Sequence, residues 1–157
     1  MRKVRAWCPR SGVPVMDCHV PLCHRFARLP DPVAALDALR HAVDGFPAFT
    51  VRTTEPAVIS RGDRADVVLP LEDTPHLARL HERVVVALTP WTEPAGEEYR
   101  PQIAVVEAIP AEGVESTLGV IAGWRLNYAW VVRDLDLVGL QGSVLWRSLG
   151  RLDFGRP

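Results

Sequence analysis

Lysine is nearly missing from this sequence: of 18 basic residues, only Lys3 is not an arginine. The bias fits a GC-rich genome better than a mechanism, although a guanidinium does suit a bidentate grip on carboxylate or phosphate. An excess of either charge is also missing. At a net charge of −1 the chain has no basic footprint for holding nucleic acid through its phosphates, so nucleic acid is not the favoured partner. No apolar run approaches the roughly 18 to 20 residues that span a bilayer, and the N-terminus lacks a contiguous signal-peptide core. The expectation is therefore a cytoplasmic protein with no membrane partner. Cysteine is scarce and odd in number, and three thiols cannot all pair within one chain, which fits a reducing compartment. A metal site built from Cys8, Cys18, Cys23 and either His19 or His24 lacks the second Cys or His pair of a usual zinc module. There is no Walker A sequence, Gly-x-Gly-x-x-Gly, His-Glu-x-x-His or Gly-x-Ser-x-Gly, so neither a metal nor a cofactor is expected.

What is present is enough apolar residue, 48% of 157, for one compact domain spanning residues 1–157 with a sizeable core. Lys3 to Trp7 reads as an edge strand before a turn-like Cys8-Pro9-Arg10-Ser11-Gly12, and residues 18–26 read as a short strand. Asp31-Pro32 supplies an N-cap and first helical residue, and Val33, Leu36, Leu39, Arg40 and Val43 repeat at helical spacing, which predicts a helix over about 32–44. Gly45 and Pro47 end it. Residues 49–53 and 66–71 then read as two strands joined across Arg61-Gly62-Asp63. Thr74-Pro75 opens a second helix whose stripe is Leu77, Leu80, Val84, Ala87 and Leu88. After a loop rich in Pro and Glu come a strand at 100–107, a helix around Glu112 to Ala122, and two long strands, Asn127 to Val138 and Ser143 to Phe154. Both halves thus read strand, helix, strand, strand, as a sheet protein built by duplication would.

Two of these strands carry motif-like sequences. His19-Val20-Pro21-Leu22 lies 83 residues before Gln102-Ile103-Ala104-Val105. Together they resemble the paired His-x-Thr/Ser motifs of the two-histidine (2H) phosphoesterases, the superfamily that includes the 2'-5' RNA ligase and cyclic phosphodiesterase proteins. Weaker points of likeness are Val67-Val68-Leu69-Pro70-Leu71 followed by Leu77 and Leu80-His81, Tyr99-Arg100-Pro101 before the second motif, Trp130 to Leu137, and Leu152-Asp153-Phe154-Gly155 near the end. The resemblance covers about residues 16–155. It implies an α+β fold of the bilobal 2H type, with two antiparallel sheets around a central cleft and helices on the outer faces. The motif strands of the two lobes would be 18–26 and 100–107.

In that family two histidines share the proton transfers of phosphodiester cleavage while the hydroxyls hold the phosphoryl oxygens. Residues i and i+2 of a strand share a face, so the resemblance puts His19, Pro21, Gln102 and Ala104 along the cleft. Of the four polar groups of the motif only His19 is kept. Glutamine cannot exchange a proton near neutral pH, alanine has no hydroxyl, and proline offers neither a side-chain donor nor an N–H. The sequence therefore leads to a divergent 2H-like protein, repurposed to bind or transform a small, partly apolar molecule, with His19 as candidate acid/base. The alternatives are a noncatalytic binding or regulatory module and a residual cyclic phosphodiesterase or 2'-5' RNA ligase-like activity. Arg25, Arg52 and Arg100 are candidate cations for the cleft. Cys23 lies four residues from His19, about 13 Å along a strand and too far for a direct bond, so it reads as a small buried thiol. His24, His41, His76 and His81 show no partner in sequence, and His76 and His81, on the second helix, read as solvated or half-packed. Asp134 and Asp136 read as solvent-facing carboxylates. Trp124, Trp130 and Trp146 read as core, and Trp7 and Trp91 as residues bordering a pocket.

Overall fold

A computed structural model of the chain describes residues 19–23, 31–72, 74–92, 99–141 and 145–155. The architecture is mixed α+β with antiparallel sheets. Its elements are α1 (Pro32–Val43), β1 (Phe49–Arg52), β2 (Ala57–Arg61), β3 (Arg64–Pro70), α2 (Pro75–Leu88), β4 (Gln102–Pro110), a 3-10 turn at Ala111–Gly113 leading into α3 (Val114–Ile121), β5 (Ala129–Val132), β6 (Asp134–Gln141) and β7 (Leu145–Asp153). Among the described residues no helix is long and apolar enough to cross a membrane.

The helices begin where local chemistry says they should. The Asp31 carboxylate accepts from Val33 N at 3.2 Å, and the Thr74 hydroxyl accepts from Leu77 N at 3.1 Å, each satisfying an amide that has no partner within its helix. α2 buries Leu77, Leu80, Val84 and Leu88. α1 buries Ala35, Leu39 and Val43, while Val33 of the expected stripe is 65% exposed. Arg83 of α2 ties the two helices together: its guanidinium donates to the Ala42 and Asp44 carbonyls at the end of α1 and lies 5.3 Å from the centre of the Phe46 ring.

The sheets depart further from expectation. The strand that turns across Gly62-Asp63 into β3 is β2, with Arg61 opposite Arg64. Gly62 takes φ +70° there, a turn geometry that follows the twist of a two-residue hairpin. β1 instead pairs with β5, Phe49 opposite Val132. The expected single strand over 127–138 is broken at Arg133: β5 belongs to β1, whereas β6 forms a hairpin with β7. β3 is the middle strand of β2-β3-β4, and five of its seven residues are buried, as a strand covered on both faces requires. Backbone bonds join this sheet to β1–β5, Thr54 N donating to the Pro70 carbonyl at 2.8 Å and Glu72 N to Arg52 at 2.9 Å, while Leu71 N donates to Pro101 at 3.0 Å and extends the β3–β4 pairing. Buried Thr53 locks the junction, donating to the Leu126 carbonyl at 2.6 Å and accepting from Tyr128 N at 2.9 Å.

Residues 19–23 do not form the expected strand. They run irregularly, with a bend at Leu22, and lie in none of the sheets. The rest of the 18–26 strand, and the expected strand at Lys3 to Trp7, fall outside the described residues. Buried side chains from α1, β1, β3, α2, β4, α3, β6 and β7 join in one apolar cluster, and Val20, Leu22 and Cys23 pack against it. The core thus holds the irregular segment without the aid of a ladder.

Candidate functional site

The irregular segment carries His19, and two contacts fix it from outside. His81, on α2, places Nδ1 2.7 Å from the Leu22 carbonyl oxygen. A carbonyl only accepts, so Nδ1 carries the proton and donates. The other face of the contact is Tyr99, just before β4, whose ring stacks on that of His81 with centroids 3.8 Å apart and planes 4° from parallel. α2 and the entry to β4 therefore hold the segment through one imidazole. The Tyr99 hydroxyl is buried and has no hydrogen-bond partner among the described residues, and burial pushes its ionisation well above the ordinary phenol range.

Beside the segment lies a cavity of about 560 Å³. That volume falls in the range of small-molecule pockets. Its walls are mainly aliphatic: Leu39 of α1, Val51 of β1, Leu77, Leu80, Val84 and Leu88 of α2, Ile103 of β4, and Val132, Leu135 and Leu137 from the stretch that crosses the Arg133 break, with Trp130 beside them. The polar groups that border it are His19, Arg133, Asp134 and Asp136. Both aspartates are engaged, Asp134 by Arg151 at 2.6 Å and Asp136 by the Ser148 hydroxyl at 2.9 Å.

Of the four cleft residues expected from the resemblance, His19 and Pro21 line this cavity, and Cys23, Trp130, Asp134 and Asp136 line it as well. Gln102 and Ala104 do not. Ile103 is 3% exposed and faces the core, so alternation turns its two neighbours to the opposite face of β4. Arg52 alternates with buried Phe49 and Val51 and points outward. Arg100 is exposed and is likewise not in the lining. Arg25, His24, Cys8, Cys18 and Trp7 lie outside the described residues, as do the side-chain surroundings of Trp146. His76 is half-packed, stacking on Phe49 with ring centres 5.5 Å apart. Among the described residues no cluster of three or more His, Cys, Asp or Glu is placed to hold a metal ion.

The electrostatics of the segment favour neutral groups. Burial lowers the pKa of His19 below its ordinary value of 6.5, and the Glu107 carboxylate opposes that shift. Burial also pushes the Cys23 thiol up, away from the thiolate that nucleophilic chemistry needs. The strand spacing used for Cys23 and His19 in sequence no longer applies, because the segment is not a strand. Glu107 escaped the sequence reading altogether. Its position depends on an irregularity in β4 that local residue pattern does not announce. His81 and Tyr99 escaped as a pair because their contact joins a helix to a strand entry and has no signature in either. No protein-family model matches the chain, and no curated protein matches it.

Proposed function

We propose that this chain is a divergent 2H-like protein that has left phosphodiester cleavage and binds, or transforms, a small and largely apolar molecule in the cavity beside His19. The observation that carries this reading is the cavity itself: about 560 Å³ of mainly aliphatic wall, with one imidazole kept neutral at its border. Such a wall rewards removal of apolar ligand surface from water, at roughly 25 cal/mol per Å². It offers little to a phosphate. The order of helices and antiparallel strands in the two halves and the His19-x-Pro21 and Gln102-x-Ala104 pairs support the ancestry. As a neutral imidazole at the cavity border, His19 can orient a polar group of the ligand or carry a single proton in an isomerisation, cyclisation or elimination.

The test is calorimetric titration of wild type and of Val132→Trp, which fills the cavity from its wall, with 1-octanol, alongside a product assay on 2',3'-cyclic nucleotides. Wild type should bind octanol and Val132→Trp should not, and neither should cleave the nucleotides. Absence of octanol binding to wild type would end the cavity reading. Cleavage that His19→Ala abolishes would restore the phosphoesterase reading.

A further inference from the structure

Nine successive residues, 130–138, line the cavity, although the side chains of a strand alternate between faces and only every other one should reach it. Trp130, Val132, Leu135 and Leu137 belong to or pack on the apolar cluster and reach it by side chain. Val131 is 47% exposed, and Asp134 and Asp136 alternate with the two leucines and turn to Arg151 and Ser148. What these three bring to the cavity is backbone. That backbone is an open strand edge: among the described residues β5 pairs with β1 alone and β6 with β7 alone. Both partners lie on one side, because a Cβ on Gly155, just past β7, would lie 2.1 Å from the nitrogen of Ala48, just before β1. The two strands therefore follow one another along residues 129–141. Thr53 N donates to the Tyr128 carbonyl, which in an antiparallel ladder directs Trp130 and Val132 to β1 and Val131 away from it. Phe154 N donates to the Arg133 carbonyl, which directs Leu135 to β7 and Asp134 and Asp136 away. Among the described residues, the N–H and C=O groups of Val131, Asp134 and Asp136 meet no backbone partner. The residues whose side chains leave the cavity thus present it with a row of backbone donors and acceptors.

We propose that the ligand of this cavity is a short apolar peptide bound in extended form, its backbone pairing with the open edge and its alternate side chains lying on the aliphatic wall. This rests on the cavity reading given above and names the class of molecule. An extended peptide repeats its N–H and C=O groups, and the side chains of one face, at the spacing of the strand it joins, so it meets edge and wall together. A simple hydrocarbon uses the wall and leaves the edge unpaired. From Val131 to Asp136 the edge runs roughly 17 Å at about 3.3 Å per residue, which suits a peptide of about three to five residues.

The experiment has two arms. In the first, calorimetry compares 1-octanol, acetyl-Leu-Val-Leu-amide and the same peptide methylated at its peptide nitrogens. Wild type should bind the unmethylated peptide about tenfold more tightly than the methylated one, the scale of one or two net hydrogen bonds. Val131→Pro removes one N–H from the open edge, where proline is tolerated, and should lose most of that preference while still binding octanol. If octanol binds and the two peptides bind alike, the peptide proposal fails and the cavity reading stands. If neither octanol nor peptide binds, both fail. In the second arm, NMR follows amide hydrogen exchange. The peptide should slow exchange at Val131, Asp134 and Asp136 and leave Val132 and Leu135, which face β1 and β7, unchanged. Slow exchange at the first three in the free protein overturns the proposal: if it grows with protein concentration a second copy holds the edge, and if it does not, the chain's own residues do.

Discussion

Burying a hydroxyl without a partner costs about 1–3 kcal/mol, and the Tyr99 hydroxyl has none among the described residues while its ring makes a close stack on His81. The two parts of this side chain therefore act in opposite directions. The ring helps to hold the imidazole that anchors Leu22, and the oxygen is a liability. Tyr99→Phe keeps the ring and removes the oxygen, so urea denaturation should show a gain of about 1 kcal/mol. Tyr99→Leu, which loses the stack, should instead lose about 1 kcal/mol or more. A loss in Tyr99→Phe would mean that the hydroxyl has a partner worth more than its desolvation.

At the scale of the element, β4 depends on a neighbour for its shape. Asp66 on β3 accepts from Ala108 N at 2.8 Å through one carboxylate oxygen and from Arg61 Nε at 2.6 Å through the other. Its side chain is 13% exposed and that of Arg61 is 61% exposed. The bond to Ala108 goes to a backbone amide whose residue takes φ +55°, a region that non-glycine residues rarely enter, and it holds that conformation in place. Asp66→Ala should cost about 2–3 kcal/mol and speed hydrogen exchange at the Ala108 amide, whereas Arg61→Ala should cost under about 1 kcal/mol. Equal losses in the two variants would show that the surface ion pair, not the strand irregularity, is what Asp66 supports. This division explains which features were legible in sequence. Caps at Asp31 and Thr74 and the stripe of α2 involve residues within a few positions of one another, so pattern alone locates them. The pairing of β1 with β5, the break at Arg133 and the two residues by which β4 outruns β3 are decided by partners tens of residues away. Ala57–Arg61 gives little strand signal because none of its five residues is fully buried, leaving little alternation to read.

The site is a property of the whole molecule, since its wall draws on two helices, strands from three sheets and an irregular segment. Sequence likeness could mark His19 and Pro21 for it. It could not find the aliphatic wall, whose members read as ordinary core, or Glu107, which lies exposed where the β3–β4 register is irregular. The same arrangement should leave its mark on global stability. Burial lowers the His19 pKa in the folded state below its ordinary 6.5, with Glu107 opposing. In the unfolded chain the imidazole takes up its proton at the ordinary value. As pH falls through 6.5, the unfolded state therefore binds more protons than the folded state, and stability declines until the pH passes below the folded pKa. Above that window His19 is neutral in both states and contributes no pH dependence. Denaturation of wild type and His19→Gln between about pH 7.5 and pH 5 isolates the contribution, because every other titrating group is common to both proteins. The wild type should lose stability on acidification relative to the variant. Glu107→Gln should steepen that loss by removing the charge that favours the imidazolium. Parallel stability curves for wild type and His19→Gln would mean that the imidazole is no more protected from protonation in the fold than in the open chain.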